Sequence, residues 1–304
     1  MTKEQRIKNL SVPSATVDVV LDTDAYNEID DQFAIAYLLS CKEKLNTKAI
    51  YAAPFLNHKS TDAGDGMEKS YDELLKILSL MNENVDTFKG SDSFLNDEKT
   101  PIISPAALDL AQRANDYSPE KPLYIIAIGA ITNIASAILI NPKITENCVV
   151  VWLGGHALHY HDTMEFNMKQ DVAASRVVMG SGVPFVQLPC NGVVSSFTIS
   201  KYELEHWFKG KNAVSEYLAE NAIKEADSYA LGAPWTRCIW DVTAVAWLLN
   251  KENRFMYSRI VPLHLSGYDN KYEILQNAHS INYVYHINRD ALMNDLIRRI
   301  TSRE

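Results

Sequence analysis

Two stretches decide the fold: residues 17–24, VDVVLDTD, and residues 30–41, DDQFAIAYLLSC. The first is an apolar, β-branched run that reads as a strand and stops at Asp22. The second places Phe33, Ala34, Tyr37, Leu38 and Cys41 on one helical face and opens with Asp30 and Asp31, where the helix dipole favours negative charge. Strand and helix alternate in the same way outward from this pair. Further strands are expected at 47–53, 123–128, 148–153, 184–188, 260–265 and 281–286. Helices are expected at 66–81, 104–114, 132–140, 171–179, 241–249 and 289–300, and another opens at the capping box Ser200-x-x-Glu203.

Fully apolar strands alternating with helices predict an α/β fold with a largely parallel central sheet flanked by helices, a Rossmann-like core. No repeat, low-complexity tract or linker interrupts the pattern, so residues 1–304 read as a single domain. Residues 1–15 carry charge but little apolar periodicity and read as a poorly structured N-terminal extension. In sheets of this kind ligands bind beyond the carboxyl ends of the strands, so the informative residues should follow strands directly.

Composition narrows the classes. The chain is 47% hydrophobic and 22% charged, with a formal net charge of -9, an ordinary globular balance whose surface repels phosphate backbones. Nucleic acid is therefore excluded as an expected partner. Residues 122–140 are uncharged and long enough to span a bilayer, but Gly129, Thr132, Asn133 and Ser136 divide them into a short strand and a buried helix stopped at Asn141-Pro142. No membrane segment is expected. Cys41, Cys148, Cys190 and Cys238 are scattered, with no CxxC pair, and read as buried thiols. The N-terminus has no apolar signal core, so a cytoplasmic location is expected.

Chemistry concentrates after the first strand. Asp22, Asp24, Asp30 and Asp31 place four carboxylates within ten residues. Helix capping accounts for one or two of them. Asp22 and Asp24 in one turn repel each other unless a cation or a shared proton intervenes, and a hard divalent ion with oxygen ligands, Ca²⁺ or Mg²⁺, is the natural counter-charge. A DxD after a first strand also begins Mg²⁺-dependent phosphatases of the haloacid dehalogenase type, but no late glycine-aspartate motif completes that set.

VVLDTD…DDQFAIAYLL resembles the N-terminal signature of the inosine/uridine-preferring nucleoside hydrolases. Three later segments match in order: Gly129-Ala130-Ile131-Thr132-Asn133-Ile134-Ala135; Gly154-Gly155 with Glu165-Phe166-Asn167 and Asp171-x-Ala173-Ala174; and Trp240-Asp241. The resemblance covers residues 17–250. It implies Ca²⁺-dependent hydrolysis of the N-glycosidic bond of a ribonucleoside to ribose and free base. It further implies that Asp24, Asp31, Asp241 and the carbonyl of Thr132 hold Ca²⁺, that Asp24 is the general base for the attacking water, and that Asp22 orients the others from behind. Asp30, Glu165 and Asn167 would bind ribose hydroxyls beside an oxocarbenium-like transition state. A homodimer or homotetramer is the family's common assembly.

This chain departs from the pattern in four places. The turn 25–29, Ala-Tyr-Asn-Glu-Ile, is two residues longer than usual, so the backbone should bulge, and Asn27 or Glu28 could reach the substrate. Trp240 stands where many relatives carry a histidine that serves the leaving base. Stacking on it suits a purine. Phe55 follows the second strand where Gly-Asn is expected and is a candidate either to line the pocket or simply to pack. Finally, His156-x-x-His159-x-His161 lies on a stretch where relatives carry a sugar-binding Asn. His159 is nearest that position, and His159 or His161 is the candidate for touching the sugar or protonating the base, with a zinc site as the sharp alternative and a solvated loop as the plain one. Two other functions remain open: a non-catalytic or differently specialised ribosyl-binding relative, and the Mg²⁺ phosphatase.

Overall fold

The computed structural model describes residues 1–303. Eight strands form one sheet: β1 (Val17–Thr23), β2 (Leu45–Ala52), β3 (Thr87–Lys89), β4 (Leu123–Ala127), β5 (Cys148–Leu153), β6 (Phe185–Leu188), β7 (Met256–Pro262) and β8 (Ser280–Ile287), in the spatial order β3-β2-β1-β4-β5-β6-β8-β7. All neighbours run parallel except the edge pair β7–β8. The chain builds outward from β1 in one direction and from β4 in the other, so the loops leaving these two strands diverge and open a crevice between them.

Alternation along the strands feeds two cores. Val19 and Leu21 join Ile50, Ile126 and Val151 on one face of the sheet. Val20 joins Ala49, Ile125 and Val150 on the other. Helices cover both faces, and for this reason the strands are apolar throughout rather than alternating. The helix Asp30–Leu39 is buried at every residue, not on one face alone, because the helices Ala213–Ala230, Val242–Leu248 and Arg289–Thr301 all pack on it.

The structure corrects several boundaries. Residues 1–15 are not a loose extension: Lys3–Asn9 is a helix capped by Thr2. Gln5 and Asn9 both donate to the carbonyl of Pro119 at 2.9 Å, and Asn282 donates to that of Leu10 at 2.7 Å. The strand expected at 260–265 divides, because Pro262 closes the β7 ladder and His264–Ser266 pairs instead with Tyr272–Ile274 in a small hairpin. The helix Ala213–Ala230 went unread, since its buried stripe of Val214, Leu218, Ala219, Ala222 and Ala226 is largely alanine and gives weak periodicity. Residues 122–140 divide at Gly129 into β4 and the helix Thr132–Ile140, and among the described residues no helix is long and apolar enough to cross a membrane. All four cysteines are free thiols.

Candidate active site

The crevice is built by the ends of β1 and β4. Ala53 N donates to Thr23 O at 2.8 Å and Ile128 N to Asp22 O at 2.9 Å, so the neighbouring strand ends are tied to the aspartate turn. Gly129 allows the approach: a β-carbon there would lie 3.1 Å from Asp24 Oδ1 and from Ala53 Cβ. The long turn is pinned. Asn27 N donates to Asp24 O at 2.7 Å, Asn57 donates to Asn27 Oδ1 at 2.6 Å, and Lys59 donates to Asn27 O at 2.8 Å. Arg237 reaches both Glu28 and Glu225 at 3.1 Å, tying the turn to the helix Ala213–Ala230.

Asp30, Asp31 and Asp241 are buried, and each offers an oxygen within 4.8 Å of the other two. Asp31 also accepts from the Thr23 hydroxyl. Asp24 is buried beside them, and neither of its carboxylate oxygens has a hydrogen-bond partner. Asp22 accepts from Asn133 Nδ2 at 2.8 Å through Oδ1, and its Oδ2 is likewise unpartnered. Burial is the main force on these groups. It pushes Asp31 up to about 7, against hydrogen bonds from Thr23 and Asp241, and Asp22 up to about 7 against the bond from Asn133. Asp24 and Asp241 are driven well above the ordinary carboxylate range by burial and then by their neighbours' charges. Asp30 is raised by burial and by Glu28 and Asp31, with Arg237 opposing. A buried carboxylate without a partner is costly. Unpartnered oxygens in an all-carboxylate pocket are the donor set a hard divalent cation requires, so the residues present fit a metal.

The carboxylates open onto a cavity of about 300 Å³, also lined by Glu165, Asn167, Phe166, His156, Lys169, Cys190, Asn191 and Trp240. Glu165 is fixed from behind: it caps the helix Phe166–Gln170 and accepts backbone N–H groups of Asn167, Met168 and Gly155, each at 2.9 Å. A carboxylate has about four acceptor sites, so roughly one remains for a ligand. Gly155 takes φ +76°, a backbone angle that suits glycine, to present that N–H. Asn167 spends both amide hydrogens on the carbonyls of Ile128 and Leu153 at 3.1 Å, which leaves Oδ1 as an acceptor. Two fixed acceptors beside the acidic cluster match a pair of hydroxyl donors.

The sequence pattern of the inosine-uridine preferring nucleoside hydrolases matches residues 19–293. The chain belongs to this family. It is accordingly an N-ribosyl hydrolase. The non-specific ribonucleoside hydrolase RihC of Salmonella typhimurium is 24% identical over 281 residues, covering 84% of this chain and 85% of the relative. Among solved structures, the plant nucleoside hydrolase PpNRh1 superposes with a TM-score of 0.74 at 15% identity, covering 94% of this chain and 99% of that one. The purine-preferring ribonucleoside hydrolase from Gardnerella vaginalis gives 0.72 at 19% identity, covering 93% and 98%. Both share the fold.

Against the family pattern, the structure brings together Asp24, Asp30, Asp31, Asp241, Glu165, Asn167, Asn27 and Trp240 around one cavity. Asp22 lies behind it on β1. Asp30 stands with Asp31 and Asp241 in the acidic triad and lines the same cavity as Glu165 and Asn167. Thr132 does not line the cavity through its side chain, whose hydroxyl donates to Asp171 at 2.8 Å. Phe55 is fully buried and off the cavity, its carbonyl packed against Gly66. His159 is exposed and outside the lining, because the loop after Gly155 turns it away. The histidines do not converge on a zinc site: among the described residues the only metal-type grouping is the aspartate triad. The histidine that does line the cavity is His156, the first residue after Gly154-Gly155. Cys190 and Asn191 were also missed. Both follow β6 closely, so the rule that ligands gather beyond strand ends would have found them.

Proposed function

We propose that the chain hydrolyses the N-glycosidic bond of a ribonucleoside, with purines preferred, using Ca²⁺ held by Asp24, Asp31, Asp241 and the carbonyl of Thr132, with Asp30 alongside. The observation that carries this reading is the buried Asp24 carboxylate, unpartnered at both oxygens, on the same cavity as the fixed acceptors of Glu165 and Asn167. When bound, the cation supplies Lewis acidity that makes the attacking water easier to deprotonate. Asp24 takes that water's proton on a carboxylate oxygen. Asp30, Glu165 and Asn167 accept from the ribose hydroxyls and orient the sugar. The surrounding negative charge favours the oxocarbenium-like transition state over the neutral nucleoside.

Purine preference rests on Trp240, half-buried in the cavity wall next to Asp241, and on Phe166 in the same lining. Aromatic faces hold a base by stacking and need no hydrogen-bond code. The wall also lacks the histidine that many relatives carry before the late aspartate.

The test is incubation with inosine, adenosine, guanosine, uridine and cytidine, with Ca²⁺ or with chelator, followed by chromatography of free base. Calcium-dependent release ranked purine over pyrimidine supports the reading. Release unaffected by chelator removes the metal role. No release from any of the five substrates removes the reaction.

A further inference from the structure

We propose that His156 delivers a proton to the departing base, a role that rests on the hydrolase reading above. His156 lies in the first position after the glycine pair that ends β5, and it lines the cavity with only 8% of its surface exposed. Its Nδ1 is buried with no partner in the protein. Its Nε2 looks toward Asp162 Oδ1 at 3.9 Å, and its ring lies 5.0 Å from that of Tyr160. The loop is anchored from outside, because Tyr272 donates to the His156 carbonyl at 2.7 Å. The backbone at His156 is therefore held in place, and its ring has one nitrogen toward a carboxylate and the other unclaimed.

The charged groups that act on His156 are Asp162 and His161 from its own loop and Lys169 from the helix Phe166–Gln170. His156 shares the cavity lining with Glu165 and Asn167, so a base whose ribose meets those two acceptors enters the same cavity. His159 and His161 share the motif but not the cavity.

The step balances as follows. The C1′–N bond breaks and its electron pair stays with the base. The imidazolium proton passes to a nitrogen or oxygen conjugated with that pair. Water adds to C1′ and gives its proton to Asp24. His156 is left neutral and regains a proton from solvent, while Asp24 loses one. Burial holds His156 below its ordinary value, with Asp162 opposing. The acid form is therefore present at low pH and declines as pH rises through that lowered value, which produces a falling limb in nucleoside turnover.

The test compares wild type with His156→Gln and His156→Ala on the best ribonucleoside and on p-nitrophenyl β-D-ribofuranoside. Nitrophenolate is stable as an anion and leaves without a proton. The expected result is a loss of about 100-fold in kcat on the nucleoside against less than about 3-fold on the nitrophenyl riboside. The falling limb should disappear from the nucleoside profile of the variants. Retained nitrophenyl riboside turnover also shows that a variant is folded. Equal losses on both substrates, no loss on the nucleoside, or an unchanged pH profile overturns the assignment of His156 alone. A wild-type protein that turns over neither substrate overturns the hydrolase reading, and this proposal with it.

Discussion

The two walls of the cavity are made of different material. The carboxylate wall hangs on regular structure: Asp24 follows β1, Asp31 sits in the first turn of the helix Asp30–Leu39, and Asp241 is the N-cap residue of the helix Val242–Leu248. The facing wall takes buried His156 and exposed Met164 from the loop 156–164, whose His159 and Tyr160 turn to solvent, and Glu165, Phe166, Asn167 and Lys169 from the segment that follows. Strand ends and helix starts hold charge in fixed positions, as catalysis at the anomeric carbon demands. A loop can change its residues without moving the sheet, so differences in leaving group are expected to be written there.

The sharpest way to break this comparison is at Asp24. Asp24→Ala is expected to lower kcat by at least about 1000-fold, since one group serves both the cation and the water. The same change removes a buried carboxylate with no partner, so the cation-free melting temperature should hold or rise. Near-normal turnover in a folded Asp24→Ala protein would place the chemistry elsewhere.

The next effect belongs to the same wall and depends on pH. Burial raises Asp22 and Asp31 to about 7 and holds Asp24, Asp30 and Asp241 well above the ordinary carboxylate range. A carboxylate raised on folding favours the folded state when protonated, and that contribution is lost as pH rises from the unfolded value through the folded one. Without a cation, melting temperature should therefore fall as pH rises toward 7. Ca²⁺ binds the ionised form, so its binding releases protons and weakens by about tenfold per pH unit for each proton released as pH falls. Calorimetric titration between about pH 5.5 and about pH 8 reads this directly. A flat affinity over that range would remove the cluster as the cation site.

Trp240 neighbours Asp241 in the cavity lining, and Trp240→Ala tests stacking there. Loss of one base–aromatic contact is worth about 1–3 kcal/mol, or roughly 5- to 150-fold in kcat/KM. The loss should be greater for inosine than for uridine. Equal losses would make Trp240 a packing residue.

The same division explains what could be read without coordinates. The aspartates after β1, the Thr132–Ile140 helix and the Glu165–Asn167 pair were legible, because local spacing and strand ends fix them. The pinning of the turn by Arg237 and Lys59 was not, since both reach it from distant segments. Phe55 and His159 failed for a related reason. Their exposure is set by tertiary packing, and sequence position beside a motif does not say which way a loop side chain turns.

His159 gives the smallest effect and the finest test. It lies three residues from His156 in one motif, and in sequence it was the better candidate for touching the sugar. In the fold it is exposed, in ring contact with Tyr160 at 5.7 Å and outside the cavity. A solvated side chain away from the reacting atoms contributes little, so His159→Ala should change kcat/KM by less than about twofold and stability by within about 0.5 kcal/mol. Steady-state kinetics on the best ribonucleoside decide it, with His156→Ala run beside it. A loss at position 159 as large as that at 156 would mean that the loop closes over bound substrate and brings both imidazoles in. The loop wall would then be assembled by the ligand, in contrast to a carboxylate wall set by the sheet.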